Sequence, residues 1–236
     1  MNDDSISLNK YISSTGVCSR READKWIEEG KVMINEVVAQ KGNRVSPGDV
    51  VTIDGKPLND KPAPVYLIFN KPPGITCTTD RRDRDNIIDF IKYRQRIFPI
   101  GRLDKASSGL ILLTNDGDIV NEILRVENQH EKEYIVKLDR PYNKRFLERM
   151  SNGIPILGTV TRKCELLPVT KQVFRIILTQ GLNRQIRRMC EFLGYQVLTL
   201  KRIRIMHLYL GELRSGEWRE LNKKEVAELL KGAGRV

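Results

Sequence analysis

The chain has 236 residues, of which 40% are hydrophobic, so it can form one large domain or two domains with buried cores. Its apolar runs are too short to span a membrane, its N-terminus has no secretory apolar segment, and its four cysteines include no C-x-x-C pair. Two histidines without a supporting motif argue against zinc hydrolases and Ser-His-Asp enzymes, and a net charge of +11 favours a polyanionic partner, with the cytoplasm as the expected location.

The positive charge is unevenly distributed along the chain. Residues 1–62 contain nine Lys/Arg and ten Asp/Glu, whereas residues 63–236 contain 32 Lys/Arg and 20 Asp/Glu. Three prolines, Pro57, Pro62 and Pro64, stand in a polar stretch that is typical of a linker. We therefore predict two domains, a small module at 1–62 and a larger domain at 63–236.

The first module is predicted to contain two short helices and small strands. Apolar residues at helical spacing mark a helix over 8–12, and Ser19-Arg20-Arg21-Glu22 is a capping box that begins a second helix. Gly30 is a natural residue to end that helix. Short strands are predicted near 31–35 and 50–54.

The segments L-N-K-Y-I and C-S-R-R-E-A-D resemble the RNA-binding module named after ribosomal protein S-four. This resemblance implies that the basic residues beside the apolar stripe contact RNA: Lys10, Arg20, Arg21 and Lys25. A solvated helix face explains the same pattern, and the net negative charge of the module favours that simpler interpretation.

The second domain alternates irregularly between strand and helix patterns. Strands are predicted over 65–70, 110–113, 133–138, 173–179 and within 195–210, and helices after the turn at 115–117 and over 184–193. In the last β-rich tract, alternation places Arg202 and Arg204 opposite Ile203 and Ile205. The order is not a regular β-α-β repeat, so we predict an α+β fold rather than a doubly wound sheet.

The segment Gly101-Arg102-Leu103-Asp104-Lys105 precedes Ala106-Ser107-Ser108-Gly109-Leu110 and is the strongest candidate site. Its carboxylate, Asp104, stands between two basic residues beside an apolar strand. The flanking cations favour the ionised acid and attract phosphate. From the charge pattern alone, a structural salt bridge in a loop is the favoured interpretation.

Gly-Arg-Leu-Asp followed by Ser-Gly-Leu, together with Asn70-Lys71-Pro72-Pro73-Gly74, resembles the RsuA/RluB/RluF branch of RNA pseudouridine synthases. Residues 98–100 and 130–134 are most similar to RluF-type members, and the resemblance covers nearly the whole chain. It implies a catalytic domain with a mixed, mostly antiparallel sheet and flanking helices. It also implies isomerisation of uridine to pseudouridine in RNA, with Asp104 as the catalytic carboxylate and with Lys71 and Arg102 as RNA contacts.

Two further segments match the same family. Lys132-Glu133-Tyr134 resembles its K-x-Y motif, which implies that Tyr134 stacks on a flipped base, although a strand tyrosine usually packs in the core. In the segment 180–189, Arg187 is implied to pair with Asp104, and Arg184 and Arg188 on the same helix face are expected to meet phosphates. A solvated basic face is the alternative for these arginines, and Asn183 is expected to cap the helix.

The implied isomerisation gains and loses no atom, so we expect no cofactor and no metal. The resemblance implies a stem-loop of large-subunit (23S) ribosomal RNA as substrate, with a tRNA as a second one, and we expect a monomer without a membrane partner. Two other functions stay open: a non-catalytic RNA-binding or ribosome-assembly protein, and another RNA-modifying enzyme. Within the latter class, a deaminase needs clustered Cys/His ligands and a methyltransferase needs a Gly-rich cofactor turn.

Overall fold

The structure, a computed structural model, describes residues 4–235. The chain forms two compact units: the residues up to Pro64 together with Arg94–Arg96, and Val65–Tyr93 together with the residues from Ile97 onward. Within residues 4–235, no helix is both long enough and apolar enough to cross a membrane.

The first unit combines two helices with short antiparallel strands. Its elements are β1 Ile6–Ser7, α1 Leu8–Ser14, α2 Arg20–Glu28, β2 Val32–Ile34, β3 Val37–Val38, β4 Arg44–Val45, β5 Val51–Ile53 and β6 Lys56–Pro57. One sheet has the order β3-β2-β5-β6, and β1 pairs with β4.

The start of α2 follows the predicted capping box. The Ser19 hydroxyl accepts from the Glu22 amide, and the Glu22 side chain accepts from the Ser19 amide. Gly30, at a φ of 69°, follows the helix end as predicted. The apolar faces of both helices then meet the strands in one core of Leu8, Ile12, Cys18, Ala23, Ile27, Val32, Ala39, Val45 and Val51.

The second unit is built on a nine-stranded sheet. Eleven strands lie in the described part of this unit, and all but β11 and β12 belong to that sheet: β7 Tyr66–Lys71, β8 Phe98–Ile100, β9 Ser108–Thr114, β10 Lys132–Leu138, β11 Pro155–Ile156, β12 Thr159–Val160, β13 Glu165–Pro168, β14 Val173–Leu178, β15 Val197–Ile205, β16 Leu208–Tyr209 and β17 Trp218–Glu220. Its α-helices are α3 Ile87–Ile91, α4 Gly117–Leu124, α5 Lys144–Ser151, α6 Gln185–Phe192 and α7 Lys223–Gly232, and a 3-10 turn covers Val126–Asn128.

The main path of this sheet is β13-β14-β10-β15-β9-β7-β17, with β8 paired to β9 and β16 paired to β15. Its strands pair antiparallel, apart from β9 and β15, which run parallel. The predicted α+β class with a mixed, mostly antiparallel sheet is therefore confirmed. The small hairpin of β11 and β12 stands outside the sheet.

Both faces of the sheet are covered, because successive residues of a strand point to opposite sides. On β7, Leu67 and Phe69 join one buried cluster, whereas Tyr66 and Ile68 join another. Helices α3, α5 and α6 contribute to the first cluster, and α4 and α7 contribute to the second. Strands of this kind are continuously apolar, which explains why 65–70 and 110–113 were recognisable from the sequence.

The N-terminus of α6 differs from the prediction. Asn183 does not cap the helix: the N-cap is Arg184, which has a φ of 50° and makes no capping hydrogen bond with its side chain. Asn183 instead accepts from Arg188, through its backbone carbonyl at 3.1 Å and through its side-chain oxygen at 3.3 Å. The turn before α6 is thus held by an arginine rather than by an Asx cap.

Candidate active site

A cleft of about 300 Å³ lies in the second unit, beside the parallel contact of β9 with β15. These two strands share two residue pairs, Lys201 with Ser108 and Arg202 with Gly109. The cleft wall combines apolar side chains with polar ones, and its charged and aromatic groups are Arg102, Asp104, Lys132, Tyr134, Arg184 and Arg202. A concave site in which polar groups converge among apolar side chains is typical of a ligand-binding pocket.

Gly109 allows the close approach of backbones at this point. It has a φ of 101°, and a Cβ atom there would lie 2.2 Å from the carbonyl oxygen of Arg202. Any side chain would force β9 and β15 apart. The glycine of the Ser-Gly-Leu motif therefore fixes the strand contact beside the cleft.

Asp104 lies in the loop that joins β8 to β9, which are paired as a hairpin. Leu103 anchors this loop in the core, and its amide donates to the Cys77 sulfur at 3.4 Å. The Ser107 amide donates to the Asp104 carbonyl at 2.9 Å, which closes a turn around the acid. The carboxylate is thus held at the cleft by a loop whose ends are both fixed in the sheet.

Lys71 supports this loop and does not face RNA. It was predicted as an RNA contact, but its side chain is fully buried. Its ammonium donates to the carbonyls of Pro72 at 2.9 Å, Ile75 at 2.8 Å and Lys105 at 3.3 Å. Because these carbonyls occupy its donors, Lys71 ties the 72–75 turn to the loop that carries Asp104, and its burial argues against the predicted RNA contact.

The structure brings Asp104 and Arg187 together across 83 residues of sequence. Arg187 Nε lies 3.6 Å from Asp104 Oδ2, with 14% and 31% of the two side chains exposed. The same guanidinium donates to the Val197 carbonyl at 3.1 Å and to the buried Ser107 hydroxyl at 3.3 Å. These two bonds fix the orientation of the guanidinium beside the acid.

Tyr134 lies in the cleft wall and also in the core. It is 8% exposed and belongs to the same buried cluster as Leu103. Lys132 and Arg202 line the cleft beside it, and the Arg202 Cζ atom lies 5.9 Å from the Tyr134 ring centroid. Tyr134 therefore packs against core residues and also forms part of the cleft wall.

A β-bulge separates the environments of Arg202 and Arg204. The register of β10 against β15 shifts between Glu133 and Tyr134, so Glu133 pairs with Arg204 and Tyr134 pairs with Arg202. Arg204 donates to the buried Glu133 at 2.9 Å, while Arg202 donates from Nε to the Leu110 carbonyl at 2.7 Å. Both arginines are at least 90% buried, which the simple alternation did not predict.

The other predicted cations fall into two groups. Arg102 and Arg184 are exposed at the cleft, and the half-buried Arg188 is close to it in sequence, bonded to Asn183. Arg20, Arg21 and Lys25 are exposed on α2 and Lys10 is half-buried on α1, all in the first unit. Arg20 donates to the Asn9 side chain at 3.4 Å, and Lys25 lies 3.6 Å from Glu29.

Lys132 and Arg202 were not among the predicted site residues. Lys132 could have been found from its position two residues before Tyr134, because alternate residues of a strand share a face. Burial lowers the pKa of the Lys132 ammonium to about 8, and the neighbouring Arg202 guanidinium acts in the same direction. No sequence signal shows that Arg202 reaches the cleft, because the bulge decides it.

The lowered pKa of Lys132 predicts a pH-dependent cost in stability. Between pH 8 and 10.5 the unfolded chain keeps a proton on Lys132 that the folded chain has lost, so the free energy of unfolding rises with pH. Lys132→Met lacks this rise. We therefore expect the free energy of unfolding of the wild type to increase by about 2 kcal/mol relative to that of Lys132→Met across that range. Urea unfolding of both proteins at pH 7.5, 9 and 10.5 measures it. A difference that is constant with pH would contradict the lowered pKa.

Comparison with known families agrees with this geometry. Residues 65–192 match the RNA pseudouridylate synthase family, and residues 7–51 match the S4 domain. A crystal structure of a pseudouridylate synthase superposes with a TM-score of 0.70 at 28% identity, covering 95% of this chain and 99% of that one.

Two relatives are similar over nearly the full chain. The dual-specificity RNA pseudouridine synthase RluF of Escherichia coli (strain K12) is 54% identical over 97% of this chain and 80% of its own length. The ribosomal large subunit pseudouridine synthase B of Bacillus subtilis (strain 168) is 38% identical over 94% of each chain. These matches extend through the Asp104, Tyr134 and Arg187 segments and do not favour a non-catalytic RNA-binding protein. The chain therefore belongs to the RNA pseudouridine synthase family and is an enzyme that isomerises uridine in RNA.

Proposed function

We propose that this enzyme acts on a stem-loop of large-subunit ribosomal RNA and takes a tRNA as a second substrate. The ion pair of Asp104 with Arg187 at this cleft carries the proposal for the site. The similarity to one relative named for the ribosomal large subunit and to another named for dual specificity supports the choice of RNA. The excess of basic residues in 63–236 supports a polyanionic substrate.

Asp104 is proposed as the catalytic carboxylate. The reaction breaks the bond between the ribose C1′ and N1 of uracil, turns the base, and joins C1′ to C5. C5 loses a proton and N1 gains one, so the composition is unchanged. A carboxylate can serve as the nucleophile that captures the sugar or the base, or as the group that accepts a proton. In either role the target nucleotide must leave its stack to reach a loop between two strands.

Tyr134 is proposed to stack on the flipped base. Its ring forms part of the cleft wall, and an aromatic ring stabilises a stacked base by about 1–3 kcal/mol. Arg187 is proposed as a positioning residue, because its guanidinium contacts Asp104 and Ser107. Its charge is permanent, so it offers the carboxylate a counter-charge at any physiological pH.

The exposed cations are proposed to hold the RNA backbone. Arg102 and Arg184 at the cleft, with Arg188 nearby, suit phosphates next to the flipped nucleotide. In the first unit, Lys10, Arg20, Arg21 and Lys25 are proposed to hold a neighbouring part of the RNA. We further propose that the enzyme works as a cytoplasmic monomer without a cofactor, since the isomerisation itself gains and loses no atom.

The choice of RNA is tested by mapping pseudouridine in cells with and without this protein. We expect one site in large-subunit ribosomal RNA, and one in a tRNA, to lose the modification in the deletion strain. Restoring the wild-type protein, but not Asp104→Asn, should return both sites. Loss of pseudouridine only in small-subunit ribosomal RNA, or at no site, would contradict the proposed substrates.

Deletion of residues 1–62 tests the role of the first unit. The remaining chain should fold, because its core clusters lie within the second unit. RNA affinity should fall by about tenfold or more as phosphate contacts are lost, while the single-turnover rate at saturating RNA stays within about threefold. Filter binding and rapid-quench assays measure the two quantities. If affinity holds and the saturated rate collapses, the first unit is not a tether for RNA.

A further inference from the structure

Arg202 is a buried cation with donors that the protein does not use. The residue is 4% exposed, and its Nη2 atom is buried without a hydrogen-bond partner among the described residues. Its Nε atom donates to the Leu110 carbonyl at 2.7 Å. A buried guanidinium nitrogen without a partner is costly, so the Nη2 group calls for a ligand or another physical reason.

A second cation, Lys132, stands beside it and forms no ion pair with the residues that the structure describes. Lys132 lines the same cleft, and its ammonium donates to the His130 carbonyl at 3.1 Å. The charged group that acts on Lys132 is Arg202 itself, which repels it. The cleft carboxylate, Asp104, is already paired with Arg187. Two adjacent cations in a partly closed cleft are unfavourable until an anion arrives.

The position of Arg202 and Lys132 favours the uracil ring, rather than a phosphate, as the anionic group that they contact. Arg202 belongs to the buried part of the cleft, next to Tyr134, whereas Arg102 and Arg184 are the exposed cations suited to hydrated phosphates. The guanidinium Cζ atom lies 5.9 Å from the Tyr134 ring centroid. Because both residues line the same cleft, a base that stacked on this tyrosine would bring its edge toward the Nη2 donor of Arg202.

We propose that Arg202, supported by Lys132, takes up the negative charge that develops on the uracil ring when its bond to the sugar breaks. As the C1′–N1 bond breaks, its electron pair stays with uracil and spreads over N1 and the carbonyl oxygens. The ring uses this pair to form the new bond from C5 to C1′. The C5 proton then passes to a base, for which Asp104 is the carboxylate in the cleft, and N1 gains a proton, so that the product is an isomer of the substrate. Donors aimed at developing charge in a site of low dielectric are among the strongest catalytic devices in enzymes. This inference rests on the proposed catalytic cleft.

The test compares two RNA stem-loops that differ only at the target nucleotide, uridine or 5-fluorouridine. Fluorine withdraws electrons and stabilises negative charge on the detached ring, so this substrate depends less on the cation. Single-turnover rates at saturating enzyme are measured as the disappearance of the target nucleoside from a nuclease digest. This readout needs no proton loss from C5, which fluorine blocks.

We expect Arg202→Met to lower the single-turnover rate on the uridine RNA by about 100-fold. The rate on the fluorinated RNA should fall by only about 10-fold. Arg202→Lys keeps the charge without the planar donors and should fall between the wild type and Arg202→Met on uridine. Lys201→Met removes an exposed cation on the same strand and should leave the ratio of the two rates unchanged. Circular dichroism shows whether each variant is folded. If Arg202→Met does not fold, the two RNAs are compared with Arg202→Lys instead.

An equal loss on both RNAs would overturn the proposal, because a purely structural arginine affects the two substrates alike. A loss of RNA affinity at an unchanged saturated rate would overturn it too, and would assign Arg202 to a phosphate. Whether the wild-type enzyme converts the uridine RNA tests the proposed substrate. This result does not depend on how the variants divide between the two RNAs. The failure of this inference is therefore distinguishable from a failure of the proposed function.

Discussion

An Asp104→Asn enzyme should fold and bind RNA, yet form no detectable pseudouridine. The amide keeps the shape of the side chain but has neither the negative charge nor the nucleophilic oxygen of the acid. Loss of a group that acts directly on the reacting atoms costs about 10⁴-fold or more in rate. Arg187 loses its counter-charge but keeps its hydrogen bonds to Ser107 and the Val197 carbonyl, so the free energy of unfolding should fall by no more than about 1–3 kcal/mol.

Asp85→Asn is the matched control for this variant. Asp85 is an exposed acid outside the cleft lining, and its carboxylate accepts at 2.7 Å from Lys105, the residue that follows Asp104. Its loss should leave the rate within about twofold, since exposed ion pairs contribute little. Turnover by Asp104→Asn at the rate of the control would remove Asp104 from the mechanism.

The elements that the sequence predicted best are those with a strong local signal. The continuous apolar runs of β7 and β9 and the capping box of α2 appear where they were expected. Helices α3, α5 and α7 were not predicted. Helix α3 has only five residues, α5 begins at an Asn143 cap, and α7 begins at a capping box from Asn222 to Glu225.

The candidate site was only partly predictable, because its decisive features are not local. The resemblance associated Asp104 with Arg187, and the structure places them within 3.6 Å. It gave no sign that Lys71 is buried under the catalytic loop, since a lysine in a Pro-rich turn is normally exposed. The orientation of Arg202 depends on a one-residue bulge in β10 and β15, and alternation along a strand cannot reveal a bulge.

Arg187→Met should lower the saturated single-turnover rate by about 100-fold while RNA affinity stays within about twofold. Methionine fills much of the space of the arginine stem but cannot pair with Asp104 or donate to Ser107 and Val197. The acid then loses both its counter-charge and its orientation. Because the guanidinium is only 14% exposed and is absent from the cleft lining, we expect little loss of phosphate contact.

Arg184→Met is the contrasting variant, one helical turn away. Arg184 is exposed at the cleft, and its left-handed backbone costs about the same with either side chain. Its loss should weaken RNA binding and reduce the slope of log affinity against log salt by about one unit, as expected for one phosphate contact. Arg187→Lys should recover part of the rate, since it restores charge but not the fork that holds Ser107. If Arg187→Met loses affinity and salt dependence at an unchanged saturated rate, Arg187 is a phosphate clamp and does not position Asp104.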